Sequence, residues 1–136
     1  MAATPPEEYR TNDPKGKAFL RAVDYQPPHE QPDEEYPLWL TTGRVVYHFH
    51  TRTKTGRSQE LYQAAPDAFV QISTEDAAKY GIEDGNMVEV KSRRRQAIAP
   101  ARVGDIEPGL VFIPFHYGYW DDVSLPRAVN ELTIME

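Results

Sequence analysis

The densest run of side chains able to do chemistry is Thr41-Thr42-Gly43-Arg44-Val45-Val46-Tyr47-His48-Phe49-His50-Thr51-Arg52-Thr53-Lys54-Thr55-Gly56-Arg57. It carries four bases, five threonines, two histidines and no acid, inside a chain whose formal charge is −6. An anionic ligand responds to the local potential rather than to the net charge, and this stretch is locally positive. A Thr-Thr-Gly turn leaving a strand presents backbone N–H groups beside hydroxyls, which suits phosphate or the edge of a purine. Arginine adds a planar fork that matches phosphate oxygens or stacks on a heterocycle. The same composition also describes a solvated loop with scattered charge. His48 and His50 would share one side of a strand, but a metal site needs more ligands, and neither cysteine nor a nearby acid supplies one. They are expected to be structural or hydrogen-bonding histidines, and no metal ligand is assigned.

A second concentration, Phe112-Ile113-Pro114-Phe115-His116-Tyr117-Gly118-Tyr119-Trp120-Asp121, is rich in rings. It suits a flat stacking surface for a fused-ring ligand, or equally a lid on the core or a face for another domain. Adjacent carboxylates such as Asp121-Asp122 rarely converge on one bond, so acid–base catalysis is not assigned to them. Lys91 and Arg93-Arg94-Arg95 make a basic knot at a turn. It lacks the interleaved aromatic residues of single-strand platforms and reads as an exposed turn. No serine-nucleophile motif, P-loop or dinucleotide fingerprint is present, and no residue is assigned a catalytic role.

These clusters need elements to hold them. Pro37-Leu38-Trp39-Leu40-Thr41 reads as a buried strand halted by Thr42-Gly43, and Phe69-Val70-Gln71-Ile72 as a second. Ser73 should cap a short helix over Thr74 to Tyr80, with Asp76 at its third position and Gly81 as its stop. Glu83-Asp84-Gly85 is a turn. Met87 to Lys91 alternates, with Val88 and Val90 inward and Glu89 outward, and Gln96 to Val103 is its hairpin partner. Glu107-Pro108-Gly109 turns into another buried strand, Leu110 to Pro114, and Leu125 to Met135 is a candidate helix. The pattern favours a mainly β fold, a small barrel over a sandwich or a parallel sheet, with one or two short helices.

Before residue 36 lie six of the twelve prolines and eight acids against four bases. Residues 1–35 therefore read as an extended, Pro-rich acidic arm with Lys17 to Val23 its one adhesive element, and Asp33-Glu34-Glu35 as a solvated run closing it. Residues 36–136 make the barrel domain. The 136 residues suit a single domain. The lack of cysteine removes disulfides, thiolate ligands and a cysteine nucleophile. No apolar run is long enough to span a bilayer and no leader pattern opens the chain, so a cytoplasmic setting is expected.

Tyr36-Pro37-Leu38-Trp39-Leu40-Thr41-Thr42-Gly43-Arg44 followed by His48-Phe49-His50-Thr51 closely resembles the opening of the C-terminal molybdopterin-dinucleotide-binding domain of the DMSO reductase superfamily, of the formate dehydrogenase and nitrate reductase type. Further matches follow in order: Asp76-Ala77, Gly81-Ile82, Asp84-Gly85, Val88-x-Val90-x-Ser92-Arg93-Arg94, Pro108-Gly109-x-Val111-Phe112, Pro114-Phe115-His116 and Asn130-x-Leu132-Thr133. The resemblance implies a double-psi β barrel. It also implies a share of a bis(molybdopterin guanine dinucleotide) site with molybdenum or tungsten, completed by a larger catalytic domain or chain. By the same resemblance Thr42, Gly43, Arg44, His48, His50 and Thr51 line the pterin and guanine dinucleotide, and Phe115, His116 and Asn130 lie near the pterin. Arg95 stands where the family usually has glycine. The family pattern also continues past Asn130-x-Leu132-Thr133 to a cofactor-contacting lysine, so either an excised domain or a small subunit, not catalytic alone, is implied. The rival from another class is a β-barrel interaction or nucleic-acid-binding module using the arm and the Arg93-Arg94-Arg95 turn. A hydrolase built on Asp121 and His116 ranks last for want of a nucleophile.

Overall fold

Alternation of small and branched apolar residues along three strands makes the centre of this protein. In the computed structural model, which describes residues 21–118, 124 and 126–133, Ala97, Ala99 and Ala101 are buried on one strand. Val70 and Ile72 are buried on a second strand, and Val111 and Ile113 on a third. Side chains at every second position share a sheet face, so each strand contributes one stripe to a common core. Tyr117, Val129 and Leu132 pack into the same cluster.

The strands are β1 (Trp39–Gly43), β2 (Val70–Ser73), β3 (Met87–Lys91), β4 (Gln96–Gly104) and β5 (Leu110–Pro114). They form one sheet in the order β1-β5-β2-β4-β3. β1 runs parallel to β5 and β2 parallel to β4, whereas β2–β5 and β3–β4 are antiparallel. The sheet is therefore mixed, where the sequence disfavoured parallel pairing. The helices are α1 (Gln59–Ala64) and α2 (Thr74–Tyr80), with short 3-10 turns at Thr55–Arg57 and Val129–Leu132. Between Leu125 and Met135 the described residues thus form one tight turn rather than a helix.

β1 departs from the buried strand expected of its apolar run. Trp39 and Thr42 are exposed and the rest half-buried, because β1 stands at the end of the strand order with β5 as its neighbour. The strand also takes in Thr42 and Gly43, where the sequence pattern halts it before them. Gly43 is its last residue, in register with Pro114, and the Gly43 carbonyl accepts the Phe115 N–H at 3.3 Å. A Cβ on Gly43 would stand 3.0 Å from the Phe112 ring, so close approach of an aromatic side chain accounts for glycine here.

The chain divides after Glu30 into two units. The described part of the first, residues 21–30, has no helix or strand and is almost wholly exposed, Val23 and Tyr25 included. Most of the adhesive element expected at Lys17 to Val23 lies outside the described residues. In the second unit Asp33 is not a free solvated acid. It accepts N–H bonds from Glu35 and Tyr36 and pairs with Arg93, whose guanidinium lies 4.6 Å from the Tyr36 ring centre.

The expected cap of α2 is present. Ser73 Oγ accepts the Asp76 N–H at 2.9 Å and donates to the Asp76 carboxylate at 2.8 Å. Gly81 ends the helix in the left-handed region at φ 67°. The Asp76 carboxylate also accepts the Gly109 N–H at 2.7 Å, tying the helix to the turn that launches β5. That bond, more than the Ser73 hydroxyl, holds the Asp76 carboxyl below its ordinary value of 3.8. Its contribution to stability is therefore complete above that ordinary value and is lost as pH falls through the lower folded-state value. Asp76→Ala should cost about 2 kcal/mol in urea denaturation near neutral pH, since the buried Ser73 hydroxyl and the half-buried Gly109 N–H lose a charged acceptor. The penalty should shrink in strong acid.

Candidate functional site

The polar run after β1 is folded into two successive turns, closed by His48 N–H to the Val45 carbonyl at 3.2 Å and Arg52 N–H to the Phe49 carbonyl at 3.1 Å. His50 and Arg52 carry positive φ angles of 46° and 61°. Such backbone costs an L-residue free energy and persists where surrounding bonds fix it. Arg52 is fixed by its own turn, its carbonyl accepting the Gly56 N–H at 2.8 Å, and His50 by a histidine of the ring-rich cluster.

His116, wholly buried, follows β5 and reaches into the loop. The Val45 N–H donates to its Nε2 at 2.9 Å, and its Nδ1–H donates to the His50 carbonyl. The acceptor role at Nε2 requires a neutral ring with the proton on Nδ1. Burial is the main cause that pushes the His116 pKa below 6.5, opposed by the His50 carbonyl and reinforced by the nearby His48, Arg52 and Arg44. His48, also buried, sits with its ring centre 5.8 Å from that of His116, edge to face. Its Nε2 lies 2.7 Å from the Ala65 carbonyl and its Nδ1 lies 3.1 Å from the Thr55 hydroxyl, which also accepts the Phe49 N–H. A ring donating to Ala65 and accepting from Thr55 satisfies every partner. His48 and His116 are thus hydrogen-bonding groups, as is His50, and His48 and His50 lie on turns rather than on a strand. Among the described residues no group of three or more His, Cys, Asp or Glu stands together as a metal-holding set.

Tyr117 completes the floor. Its hydroxyl donates to the same Ala65 carbonyl at 2.8 Å, and the Arg52 guanidinium stacks 4.3 Å from its ring centre. Arg52 is itself buried and donates to the Pro66 carbonyl at 3.2 Å. Neither Arg52 nor Tyr117 was singled out in the sequence as a site residue. The signal was a cation with no acid nearby in the chain, but its burial depends on α1 and the 65–66 segment returning beneath it.

Above this floor the exposed Arg44 donates to His50 Nε2 at 3.1 Å and lies 4.9 Å from the Phe49 ring centre. Gly43, Arg44, His48, His50, Phe115 and His116 are therefore one connected group, the Phe115 and His116 rings lying 4.9 Å apart. Thr42 is exposed on β1, and Thr51 is exposed and bonded to Thr53 at 2.9 Å. Asn130 is exposed on the 3-10 turn Val129–Leu132, which packs on β4. Beside the loop opens a cleft of about 690 Å³ lined by Thr41, Arg44, Phe69, Arg102, Asp105 and Phe112 among others. Arg44 is the one expected site residue that lines it. Tyr119 to Asp122, the end of the aromatic cluster and the carboxylate pair, lie outside the described residues.

The basic knot is engaged within the fold. Arg93 pairs with Asp33, Arg95 with Glu131 at 3.0 Å, and Lys91 with Glu89 at 2.7 Å. Ser92 N–H bonds the Arg95 carbonyl at 2.9 Å, and Arg95 is not among the residues of positive φ. The turn is thus closed without a left-handed residue at Arg95.

The sequence profile of the molydopterin dinucleotide binding domain matches residues 38–136, and the chain belongs to that family. It is 48% identical over 103 residues to the periplasmic nitrate reductase of Desulfovibrio desulfuricans, covering 75% of this chain and 14% of that protein. It is 42% identical over 105 residues to the F420-dependent formate dehydrogenase 1 subunit alpha of Methanococcus maripaludis, covering 76% of this chain and 16% of the relative. The acetylene hydratase of Pelobacter acetylenicus shares the fold over 62% of this chain and 12% of its own, with a TM-score of 0.57 and 22% identity. This chain thus spans about one-sixth of the length of the relatives it matches. Among the described residues no helix is long and apolar enough to cross a membrane.

Tyr117→Phe removes a buried donor but leaves the Ala65 carbonyl its bond to His48, so it should cost about 1 kcal/mol in urea unfolding. His48→Ala removes a buried ring together with the acceptor of the Thr55 hydroxyl, and about 3 kcal/mol is expected from the same measurement.

Proposed function

We propose that this chain forms one wall of a bis(molybdopterin guanine dinucleotide) site in a molybdenum or tungsten oxidoreductase of the formate dehydrogenase or nitrate reductase type, its sheet closing as a double-psi β barrel. The observation that carries the proposal is the meeting of the two clusters. His116 of the ring-rich segment bonds Val45 and His50 within the cationic loop, whose Arg44 and His50 side chains remain exposed.

The residues fit the chemistry of such a ligand. A pyrophosphate calls for fixed donors without a competing acid, and Arg44 offers a guanidinium held by His50 and Phe49. A fused ring calls for planar apolar contact, and the adjoining cleft offers Phe69 and Phe112 with Arg102 stacked 3.7 Å from the Phe69 ring centre. Thr42, Gly43, Thr51, Phe115 and Asn130 are proposed to complete the contacts. His48 and His116 belong to the site as its buried base. When bound, the metallocofactor supplies two-electron chemistry, and the larger catalytic part of the enzyme is proposed to hold the metal ligand and to choose the substrate. This chain's part is to bind, to orient and to keep water from one side. The acids already paired with Arg93 and Arg95 weigh against the nucleic-acid reading, because each pair lowers the charge a phosphate backbone would meet.

In the oxidoreductase that contains this domain, Arg44→Ala should lower pterin dinucleotide content per protein. Unchanged content would overturn the assignment. The chain alone should bind GDP weakly and in preference to ADP by calorimetry, with Arg44→Ala reducing affinity about tenfold through loss of a charge-assisted bond.

A further inference from the structure

His116 and His48 have no ring nitrogen left to offer a ligand. Each nitrogen of His116 already meets a main-chain group of the loop, Val45 N–H on one side and the His50 carbonyl on the other. Each nitrogen of His48 meets Ala65 or Thr55. Both side chains are buried, whereas Arg44 and His50 above them are exposed. The bonds of His116 fall at the two ends of the segment 45–50, which includes the left-handed residue His50. A ring spanning that segment fixes the direction in which Arg44 and His50 point.

We propose that His116 is a positioning residue: its neutral ring pins the loop that carries Arg44 and His50, and protonation of that ring releases the loop. This deepens the cofactor reading by naming the control on the same site, and rests on it only for the identity of the ligand.

Donors and acceptors at the ring decide how the loop responds to acid. An imidazolium has a proton on both nitrogens, so protonated Nε2 would face the Val45 N–H with two donors opposed and no acceptor between them. The charged groups acting on the ring are Arg52 and Arg44, both basic; the His48 ring lies beside it, and Tyr117 packs edge-on with ring centres 6.2 Å apart. An added charge at His116 therefore meets repulsion on every side that bears charge. The folded loop favours the neutral ring, so the released loop binds the proton more readily and acid drives release. His48 is the second pin, holding the far end of the loop through Thr55 to the Ala65 carbonyl.

The test is nuclear magnetic resonance of the uniformly labelled 136-residue chain. Long-range proton–nitrogen spectra near pH 7.5 should show His116 neutral with its proton on Nδ1. Hydrogen exchange at the Val45 amide should lose protection by about tenfold or more near pH 5, while the Ile82 amide, bonded to the Ala77 carbonyl in the helix stop, keeps its own. His116→Gln retains an acceptor for Val45 and has no proton to gain, so its Val45 protection should not change with pH. An imidazolium or an Nε2–H ring near pH 7.5, or pH-independent Val45 protection in the unaltered chain, would overturn the proposal. A variant as pH-sensitive as the parent would overturn it equally. Should His116→Gln fail to fold, the ring protonation state and Val45 exchange of the unaltered chain still decide. Absence of GDP binding with the pin intact would remove the cofactor reading alone.

Discussion

A cationic loop cannot hold a shape by its own charge, and the one in this protein is shaped from beneath by buried imidazoles whose every nitrogen is bonded. Desolvating a polar ring is costly unless its donors and acceptors are met. His116 and His48 meet this condition only when the loop, the 65–66 segment and the end of β5 stand where they do. The requirement therefore acts in both directions. The fold keeps the His116 ring neutral, and that ring holds the carbonyl of the left-handed residue His50. The sheet order supports this by bringing β1 and β5 side by side in parallel, so that their two C-terminal extensions leave the sheet at the same end.

That arrangement explains how an acidic chain can offer a site for an anion. Among the described residues its acids are either exposed or committed to partners, as Asp33 is to Arg93, Glu131 to Arg95 and Asp76 to Ser73 and Gly109. The stretch from Thr41 to Arg57 has none of them. What the loop exposes is donor-rich and free of acid, and its one buried cation, Arg52, is bonded to the Pro66 carbonyl beneath it, an arrangement that favours binding of a phosphorylated ligand over nonspecific attraction of any polyanion.

Local features were legible in the amino-acid order because they depend on neighbours in the chain. The Ser73–Asp76 cap, the Gly81 stop and the β3–β4 hairpin each follow from a few adjacent residues. The exposure of β1 was not legible, since an apolar pentapeptide looks alike at the margin or the middle of a sheet. Neither was the depth of His48 and Arg52. Both sit in a stretch whose composition describes a solvated loop, and their partners Ala65 and Pro66 announce nothing by side chain. The motif order placed the two clusters in one family domain, but that His116 grips main chain rather than faces outward emerged only from the packing.

Ala65 has a consequence of its own. Its carbonyl oxygen receives both the His48 ring and the Tyr117 hydroxyl, yet its methyl group takes no part. A junction made of main chain is invisible to evolution acting on residue type at that position. Many amino acids could stand at 65 with the junction intact, and comparison of homologous chains would show variation at the very place where two pillars of the loop meet.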